Sequence, residues 1–405
     1  MAGVNRIRYQ EIGQVSLNYY LALVAQGILV TIGLAAAYYM ETNGHHVTGM
    51  NNQIVWGMPH VFAIFLIVAA SGALNVASIG SVFGKTPYKP LARLSGVVAV
   101  SLLVGGLAVL VLDLGRPDRL IVAMTKYNFK SIFAWNIFLY VGFLVVVAAY
   151  LWVMMERCMN RYSNAVGLFA FVWRLILTTG TGLIFGFLVA RQGYDAAVFA
   201  PLFIAMSLAF GLAMFIIILS KICWFESFEL GDFILSKLGR LLGIFVAAVL
   251  YFTLVQHLTN LYAAEHHGVE RFILLEGGII TILFWAGQVV LGGLMPLVLL
   301  LHPVWSRARF NIFLASTLVI FGGLAQIYVI IVGGQAYPLV LFPGMEVSSS
   351  FFDGEITEYR PSLAEFALGI GGMAIAALVM LVGIKVLPIL PQSLDDATMD
   401  PHHRT

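Results

Sequence analysis

Long apolar runs alternate with short polar segments along the whole chain. Ten runs are long enough to cross a hydrocarbon layer of about 30 Å, which takes about 20 helical residues. Each run is continuously apolar instead of alternating from residue to residue, which favours helices over a barrel in lipid. The predicted spans are 17–40, 54–79, 91–112, 131–155, 164–190, 197–220, 240–263, 272–300, 309–332 and 364–388.

Composition indicates an all-α integral membrane protein. Of the 405 residues, 60% are hydrophobic and 10% are charged, and the mean hydropathy is +0.94, outside the range of water-soluble domains. The start, "MAGVNRIRYQEIGQ", is basic like a signal peptide, but the apolar run after it is too long, so we expect an uncleaved first span. The net charge of +2 indicates no nucleic-acid partner.

The distribution of Lys and Arg predicts the orientation of the chain. An even number of spans puts both termini on one side of the membrane. That side carries fourteen of the 22 basic residues, the other side carries seven, and Arg174 lies inside the fifth span. We therefore expect both termini in the cytoplasm.

A charged stretch, "VLDLGRPDRL" at 111–120, interrupts this pattern at the outer end of the third span. A carboxylate in the last turn of a helix meets the negative end of the helix dipole. We therefore expect Asp113 to pair with Arg116 or Arg119, which follow within six residues. The alternative is an interfacial cap whose arginines hold lipid phosphates.

A second group of polar side chains is predicted near the depth of Asp113. Ionisable groups inside lipid are costly, so each one is a candidate functional residue. A quinone headgroup needs hydrogen-bond donors, groups that exchange protons and an apolar groove, and these residue types supply the polar part. His60 can bond one ring carbonyl while a nearby carboxylate such as Asp113 fixes its tautomer, and Tyr140 or Asn136 can bond the other. The alternatives are a core histidine bonded to a carbonyl and a tryptophan of the interfacial belt. The candidates are His60, Trp135, Asn136, Tyr140 and Arg191.

Polar residues deeper in the membrane form a candidate proton path. Ser71 and Asn75 share a helix face with His60. Arg174 lies near the midplane, with Thr178 one turn further on, and no carboxylate is visible at its depth. Packing of Arg174 against backbone carbonyls is the alternative to a water-filled path.

An alternative site is predicted at the outer end of the seventh span and the start of the eighth, where His257, Asn260, Glu270 and Glu276 lie. Two other functions remain as alternatives. A b-type cytochrome needs axial histidines that face each other, and the sequence allows one haem at most. A secondary transporter would suit ten spans and the glycines at 104–106 and 321–323, but its polar site should lie at the midplane.

Two further features bear on partners. The two cysteines, Cys158 and Cys223, cannot supply the four thiolates of an iron–sulfur cluster. The longest outer loop is 333–363. Loops of this length usually have a function, and we expect this one to contact a partner protein. Its charged residues are Glu346, Asp353, Glu355, Glu358 and Arg360.

Three motifs resemble the NrfD/PsrC family, the membrane subunits of polysulfide reductase and related complexes. They are "LDLGRPDR" at 112–119, "WG" at 56–57 leading to His60, and "NFKSIFAWNIFLY" at 128–140. The number of spans and the length are most similar to the ten-span branch, which includes the Dsr-complex membrane subunit DsrP and the hydrogenase-2 membrane subunit.

This resemblance implies two four-helix bundles flanked by one extra helix at each end of the chain. The chain then divides into four segments. Residues 1–53 contain the N-terminus and the first span, 54–196 the first bundle, 197–335 the second bundle, and 336–405 the outer loop, the last span and the C-terminal tail. It also implies a bacterial inner-membrane anchor that holds no haem or cluster of its own. Such an anchor exchanges electrons between menaquinone or ubiquinone and a periplasmic ferredoxin-like [4Fe-4S] subunit, within a larger redox complex.

The resemblance carries over to several of the candidate residues. His60 matches the quinone-contacting histidine of the family by its place in the helix, Asn136 and Tyr140 are weaker matches, and Asp113 and Arg116 belong to the shared motif. We do not expect this chain to pump protons across the whole membrane, because no continuous row of buried carboxylates crosses either bundle. Sulfur metabolism is the expected setting, and the sequence does not specify the direction of electron flow.

Overall fold

The computed structural model describes residues 9–12, 16–225, 229–339 and 355–396. Within them, ten helices are long and apolar enough to cross a membrane. Numbered in chain order, spans 1 to 10 are Leu17–Asn43, Met58–Ser81, Thr86–Leu112, Ile132–Met155, Asn160–Gly186, Phe199–Phe225, Asp232–Tyr262, Ile279–Leu301, Arg309–Ala336 and Leu363–Val386. The predicted all-α membrane fold with ten spans is therefore confirmed.

Shorter elements connect the spans. We call the face that carries the ends of the described chain the inner face and the opposite one the outer face. The connections contain short helical turns at His45–Val47, Pro117–Arg119, Leu120–Thr125, Ala264–His266, His267–Arg271, Phe272–Glu276 and Trp305–Arg307. Two short strands, β1 (Tyr9–Gln10) and β2 (Leu390–Pro391), pair antiparallel. Because β1 precedes span 1 and β2 follows span 10, this pairing places both ends of the described chain on one face, as an even number of spans requires.

The helix ends differ most from prediction around spans 6 to 8. Span 7 begins at Asp232 instead of residue 240, and its 31 residues extend over about 46 Å, more than the hydrocarbon thickness. Its first turn therefore lies beyond the apolar layer, where Asp232 pairs with Arg309 at 2.5 Å. Span 8 contains a wide π-helical stretch at Leu283–Leu294.

The spans form two adjoining four-helix bundles. Spans 2 to 5 pack in a ring, and spans 6 to 9 pack in a second ring. Span 2 lies between the bundles, in contact with span 6, and is 94% buried. Span 10 packs on spans 1, 2 and 3. The predicted bundles are therefore present. Span 10 lies against the first bundle, and span 1 packs chiefly on span 10.

Glycines bring the two bundles into backbone contact. A Cβ added to Gly72 of span 2 would lie 1.5 Å from the carbonyl oxygen of Ser207 in span 6. A Cβ on Gly211 would lie 2.2 Å from a backbone nitrogen of span 2. Since no side chain fits there, these glycines serve close helix packing, which small residues permit in membranes.

The predicted outer loop at 333–363 is only partly described. Glu346 and Asp353 lie outside the described residues. Glu358 and Arg360 pair with each other at 2.9 Å and are both exposed. The domain divisions at residues 53, 196 and 335 stay predictions.

Candidate functional site

Asp113 lies between two histidines at the outer end of span 3. It is 7% exposed and caps the helix, its backbone N–H donating to the Val109 carbonyl. Oδ2 lies 2.9 Å from Nδ1 of His60, and Oδ1 lies 3.6 Å from Nε2 of His45. Both are close polar contacts that lack full hydrogen-bond geometry. The expected pairing of Asp113 with an arginine is therefore wrong, and each carboxylate oxygen faces an imidazole instead.

The electrostatics of this group favour an ionised Asp113. Burial alone would raise the pKa of Asp113, but the contacts with His45 and His60 outweigh it and hold the pKa below its usual value. The same contact raises the pKa of His45. A carboxylate at Nδ1 of His60 favours the tautomer with its proton on that nitrogen. Nε2 is then the nitrogen that accepts hydrogen bonds.

His60 borders a cavity of about 420 Å³ enclosed chiefly by spans 2 to 5 and the short helix Leu120–Thr125. This volume lies in the usual range for sites that bind small molecules. Trp56 stacks on His60 with ring centroids 6.2 Å apart. Most of the other lining residues are aliphatic or aromatic. Among the lining side chains, those with an N–H or O–H group are Trp56, His60, Asn136 and Tyr140.

Asn136 and Tyr140 meet span 5 at the wall of this cavity. The amide nitrogen of Asn136 donates to the carbonyls of Ile132 at 2.9 Å and Gly180 at 3.0 Å. Its two amide hydrogens are thus already used, so Asn136 fixes spans 4 and 5 together. The Tyr140 hydroxyl lies 3.3 Å from that of Thr181. Tyr140 is therefore the better donor toward a ligand in the cavity.

Three predicted site residues lie away from the cavity. Arg116 is exposed and forms a bidentate pair with Asp118, with two contacts of 3.0 Å. The indole N–H of Trp135 donates to the Phe129 carbonyl at 2.6 Å, and its side chain is 42% exposed. Arg191 donates to backbone carbonyls of Gln335 and Gln53 at 2.9 and 2.7 Å. It therefore joins the end of span 5 to span 9.

The four residues of the candidate proton path form one connected network. The hydroxyls of Ser71 and Thr178 lie 2.6 Å apart. Arg174 donates through Nη2 to Oδ1 of Asn75 at 3.0 Å. Arg174 is 2% exposed, and its Nε and Nη1 have no hydrogen-bond partner among the described residues. A buried, half-satisfied guanidinium is costly, which sets this network apart from ordinary packing.

Polar residues continue this network toward the cavity. Arg174, Thr178 and Thr181 are spaced four and three residues apart, so they share one helix face. Thr181 reaches Tyr140 at the cavity. A separate pair lies nearer the inner end of span 2, where the Tyr150 hydroxyl donates to Ser81 at 2.9 Å.

The alternative site gathers around one of its two predicted carboxylates, Glu270. Glu270 is 0% exposed, with Nδ1 of His257 at 2.7 Å and Nδ2 of Asn260 at 2.8 Å. Glu276, which was predicted to belong to this group, is exposed and pairs with Arg271 at 2.6 Å. The structure therefore brings His257 and Asn260 together on Glu270.

Sequence reasoning missed residues that hold the outer end of span 2. Glu365 is 0% exposed and accepts from the backbone N–H of Gly49 and Ser362 at 2.9 and 2.7 Å. Tyr359 donates to Glu365 and accepts from the N–H of Met58. The "SLAE" at 362–365 is a capping-box signal, with Ser362 as the N-cap of span 10 and Glu365 in its first turn.

Comparisons with known proteins agree with this architecture. The integral membrane subunit of an Hdr-like menaquinol oxidoreductase from Archaeoglobus fulgidus is 26% identical, over 95% of this chain and 97% of that protein. The membrane subunit of a putative dimethyl sulfoxide reductase from Halobacterium salinarum is 28% identical over 91% of both. The menaquinone reductase integral membrane subunit of Nitratidesulfovibrio vulgaris is 23% identical over 90% of both.

A family match covers most of the chain. Residues 46–338 match the profile described as "Polysulphide reductase, NrfD". This segment runs from His46 beside the Asp113 group to the end of span 9, so it includes both bundles. The resemblance seen in the three sequence motifs is thereby confirmed, and the chain belongs to the NrfD family.

Proposed function

We propose that this chain is the quinone-reactive membrane anchor of an oxidoreductase complex. The observation that carries the proposal is His60, held by Asp113 on one ring nitrogen and bordering a largely apolar cavity on the other side. Two relatives are named for menaquinol or menaquinone, which supports menaquinone or ubiquinone as the substrate.

The residues around the cavity suit the oxidation or reduction of a quinone. Oxidation of a quinol releases two protons and two electrons. Nε2 of His60 accepts the two protons one after the other, because Asp113 keeps Nδ1 protonated and stabilises the resulting imidazolium. Before it accepts the second proton, His60 passes the first through Asp113 to the partly exposed His45. Tyr140 donates a hydrogen bond to the other ring oxygen. The aliphatic walls accommodate the tail and exclude water.

The electrons must leave the chain, since its two cysteines cannot hold an iron–sulfur cluster. We propose a periplasmic ferredoxin-like [4Fe-4S] subunit at the outer surface as the partner, close to the Asp113 group. The excess of Lys and Arg on the side of the termini supports this orientation, with both termini in the cytoplasm. A bacterial inner membrane is the proposed location.

Proton movement forms a second part of the proposal. The network of Ser71, Asn75, Arg174 and Thr178 would carry protons between the cytoplasm and the cavity, with water at the unpartnered N–H groups of Arg174. This is a half-channel that ends at the quinone.

Binding of a fluorescent quinol-site inhibitor tests the proposal. Purified wild-type protein should quench the inhibitor saturably, and His60→Ala should abolish quenching while the protein stays folded. His257→Ala is the matched control and should bind as the wild type does. If His257→Ala alone removes binding, the quinone belongs to the Glu270 group. If the wild type does not bind, the proposal fails.

A further inference from the structure

A second large cavity lies in the inner half of the molecule, away from the site described above. It encloses about 500 Å³ between spans 1, 3, 6 and 10, and its walls are mainly aliphatic. Spans 1 and 6 are held apart here, because span 1 packs chiefly on span 10. The lipid-facing side of the molecule therefore contains a deep groove between two spans that do not pack on each other.

The length of this groove matches one lipid leaflet. Its lining runs from Asn18 to Leu29 on span 1 and from Met214 to Phe225 on span 6. Each stretch covers eleven helical steps, or about 17 Å. Half of a hydrocarbon core of about 30 Å is about 15 Å. The groove thus reaches from the inner surface to about the midplane.

The polar groups of the groove are concentrated at its inner end. Asn18 and Lys221 line that end, and no carboxylate lines the groove among the described residues. Lys221 stands between this groove and a neighbouring depression that Trp224, Glu229 and Phe313 line. Its Nζ lies 5.6 Å from the ring centroids of Trp224 and Phe313, so the ammonium is at the depth of interfacial aromatics, at the edge of the groove. An anionic group at the membrane surface would complement this charge.

We propose that this groove binds an acyl chain of an anionic phospholipid from the inner leaflet, with the phosphate at Lys221. The chain fills the gap between spans 1 and 6, so the lipid acts as a structural ligand that holds span 1 against the rest of the molecule. Gln26 and Ser101 are polar side chains further in. Ser101 donates to the Val97 carbonyl of its own helix, and Gln26 lies on span 1. It lines the cavity wall about 12 Å from Asn18 along span 1.

The experiment reconstitutes the full-length protein in nanodiscs of equal phosphatidylglycerol and phosphatidylcholine and then measures retained lipids by native mass spectrometry. The wild type should retain one phosphatidylglycerol preferentially. Lys221→Gln should lower the ratio of phosphatidylglycerol to phosphatidylcholine about fivefold, the effect of one interfacial charge. Lys237→Gln is the matched control, since Lys237 also lies over an aromatic ring at an inner helix end, and should leave the ratio unchanged.

A second pair of variants separates the groove from the surface charge. Ala22 lines the groove, whereas Ala25 on the same helix is exposed. Ala22→Phe should remove the retained lipid, and Ala25→Phe should not. Retention of an isoprenoid quinone, retention of both lipids in equal amounts, or lipid binding that survives both Ala22→Phe and Lys221→Gln would overturn the proposal.

Discussion

Two histidine–carboxylate groups lie near the outer surface, one in each bundle, and they differ in what surrounds them. Asp113 shares its oxygens between His45 and His60, and His60 borders a cavity of about 420 Å³. Glu270 is fully buried, and its oxygens bind His257 and Asn260 at 2.7 and 2.8 Å.

The rings of the two histidines also have different neighbours. The ring of His257 packs edge-on against Phe284 with centroids 4.8 Å apart, whereas His60 stacks beside Trp56 at the cavity. The same chemical pair therefore borders an open cavity in the first bundle, whereas in the second bundle both carboxylate oxygens of Glu270 have a protein partner.

The largest contrast should be in turnover. Asp113→Asn keeps the size of the side chain but removes its charge and favours the wrong tautomer of His60. We expect quinol oxidation by the assembled complex to fall about a thousandfold, in line with other histidine–carboxylate pairs. Glu270→Gln should change turnover less than about threefold. Unchanged turnover in Asp113→Asn would show that this pair has no part in the reaction.

The second contrast should be in stability, with the opposite ranking. His257→Ala leaves the Glu270 carboxylate buried without its imidazole, so we expect a loss of about 3 kcal/mol in the free energy of unfolding. His60→Ala should lose less, because Asp113 keeps His45. Denaturation in mild detergent, followed by circular dichroism, measures both. Equal losses would mean that the two groups are energetically alike.

A smaller effect should appear in the pH dependence of stability. The pKa of His45 is raised by Asp113. The contribution of His45 to the free energy of unfolding is therefore full below about pH 6.5 and is lost as the pH rises through the raised pKa. The pKa of Asp113 is lowered, so its contribution is present above about pH 3.9 and is lost on acidification.

Comparison of the wild type with His45→Gln tests this window. The wild type should be more stable than His45→Gln at pH 5.5, and the two proteins should be equally stable at pH 8.5. Because the side chain of His45 is 31% exposed, solvent screening should keep the difference below about 1 kcal/mol. A difference that grows with pH would contradict the assigned charges.

The smallest effect is expected at Arg116. Its guanidinium is exposed and binds Asp118, not Asp113, so Arg116→Ala should leave turnover within about twofold of the wild type. Activity of the complex, assayed beside Asp113→Asn, gives the comparison. A large loss would indicate that Arg116 contacts the partner subunit.

The sequence was sufficient to predict the spans because lipid imposes a minimum length on apolar runs. It also predicted which polar residues meet inside the first bundle, since His60, Ser71 and Asn75 are tied to one helix face by the helical repeat. Ser71 and Thr178 are in contact. Periodicity predicts such contacts when both residues lie in regular helices at matching depth.

Contacts made by connecting segments were harder to predict. His45 follows span 1 and Asp113 ends span 3, and nothing in their local sequence indicates that they meet. Arginines close in sequence were the expected partners, but Pro117 and the turn around it direct Arg116 to Asp118. Glu270 was less prominent than Glu276 for a similar reason, since burial depends on how the turn after span 7 folds.

The pairing of span 1 with span 10 has a consequence for the order of biogenesis. Span 1 is 11% buried and meets span 10 where Gly33 approaches Gly371. A ribosome delivers span 1 to the membrane nine helices before its main neighbour. Span 1 must therefore wait in lipid until translation is nearly complete, and an arrested chain that lacks span 10 would display an unassembled helix to the quality-control proteases of the membrane.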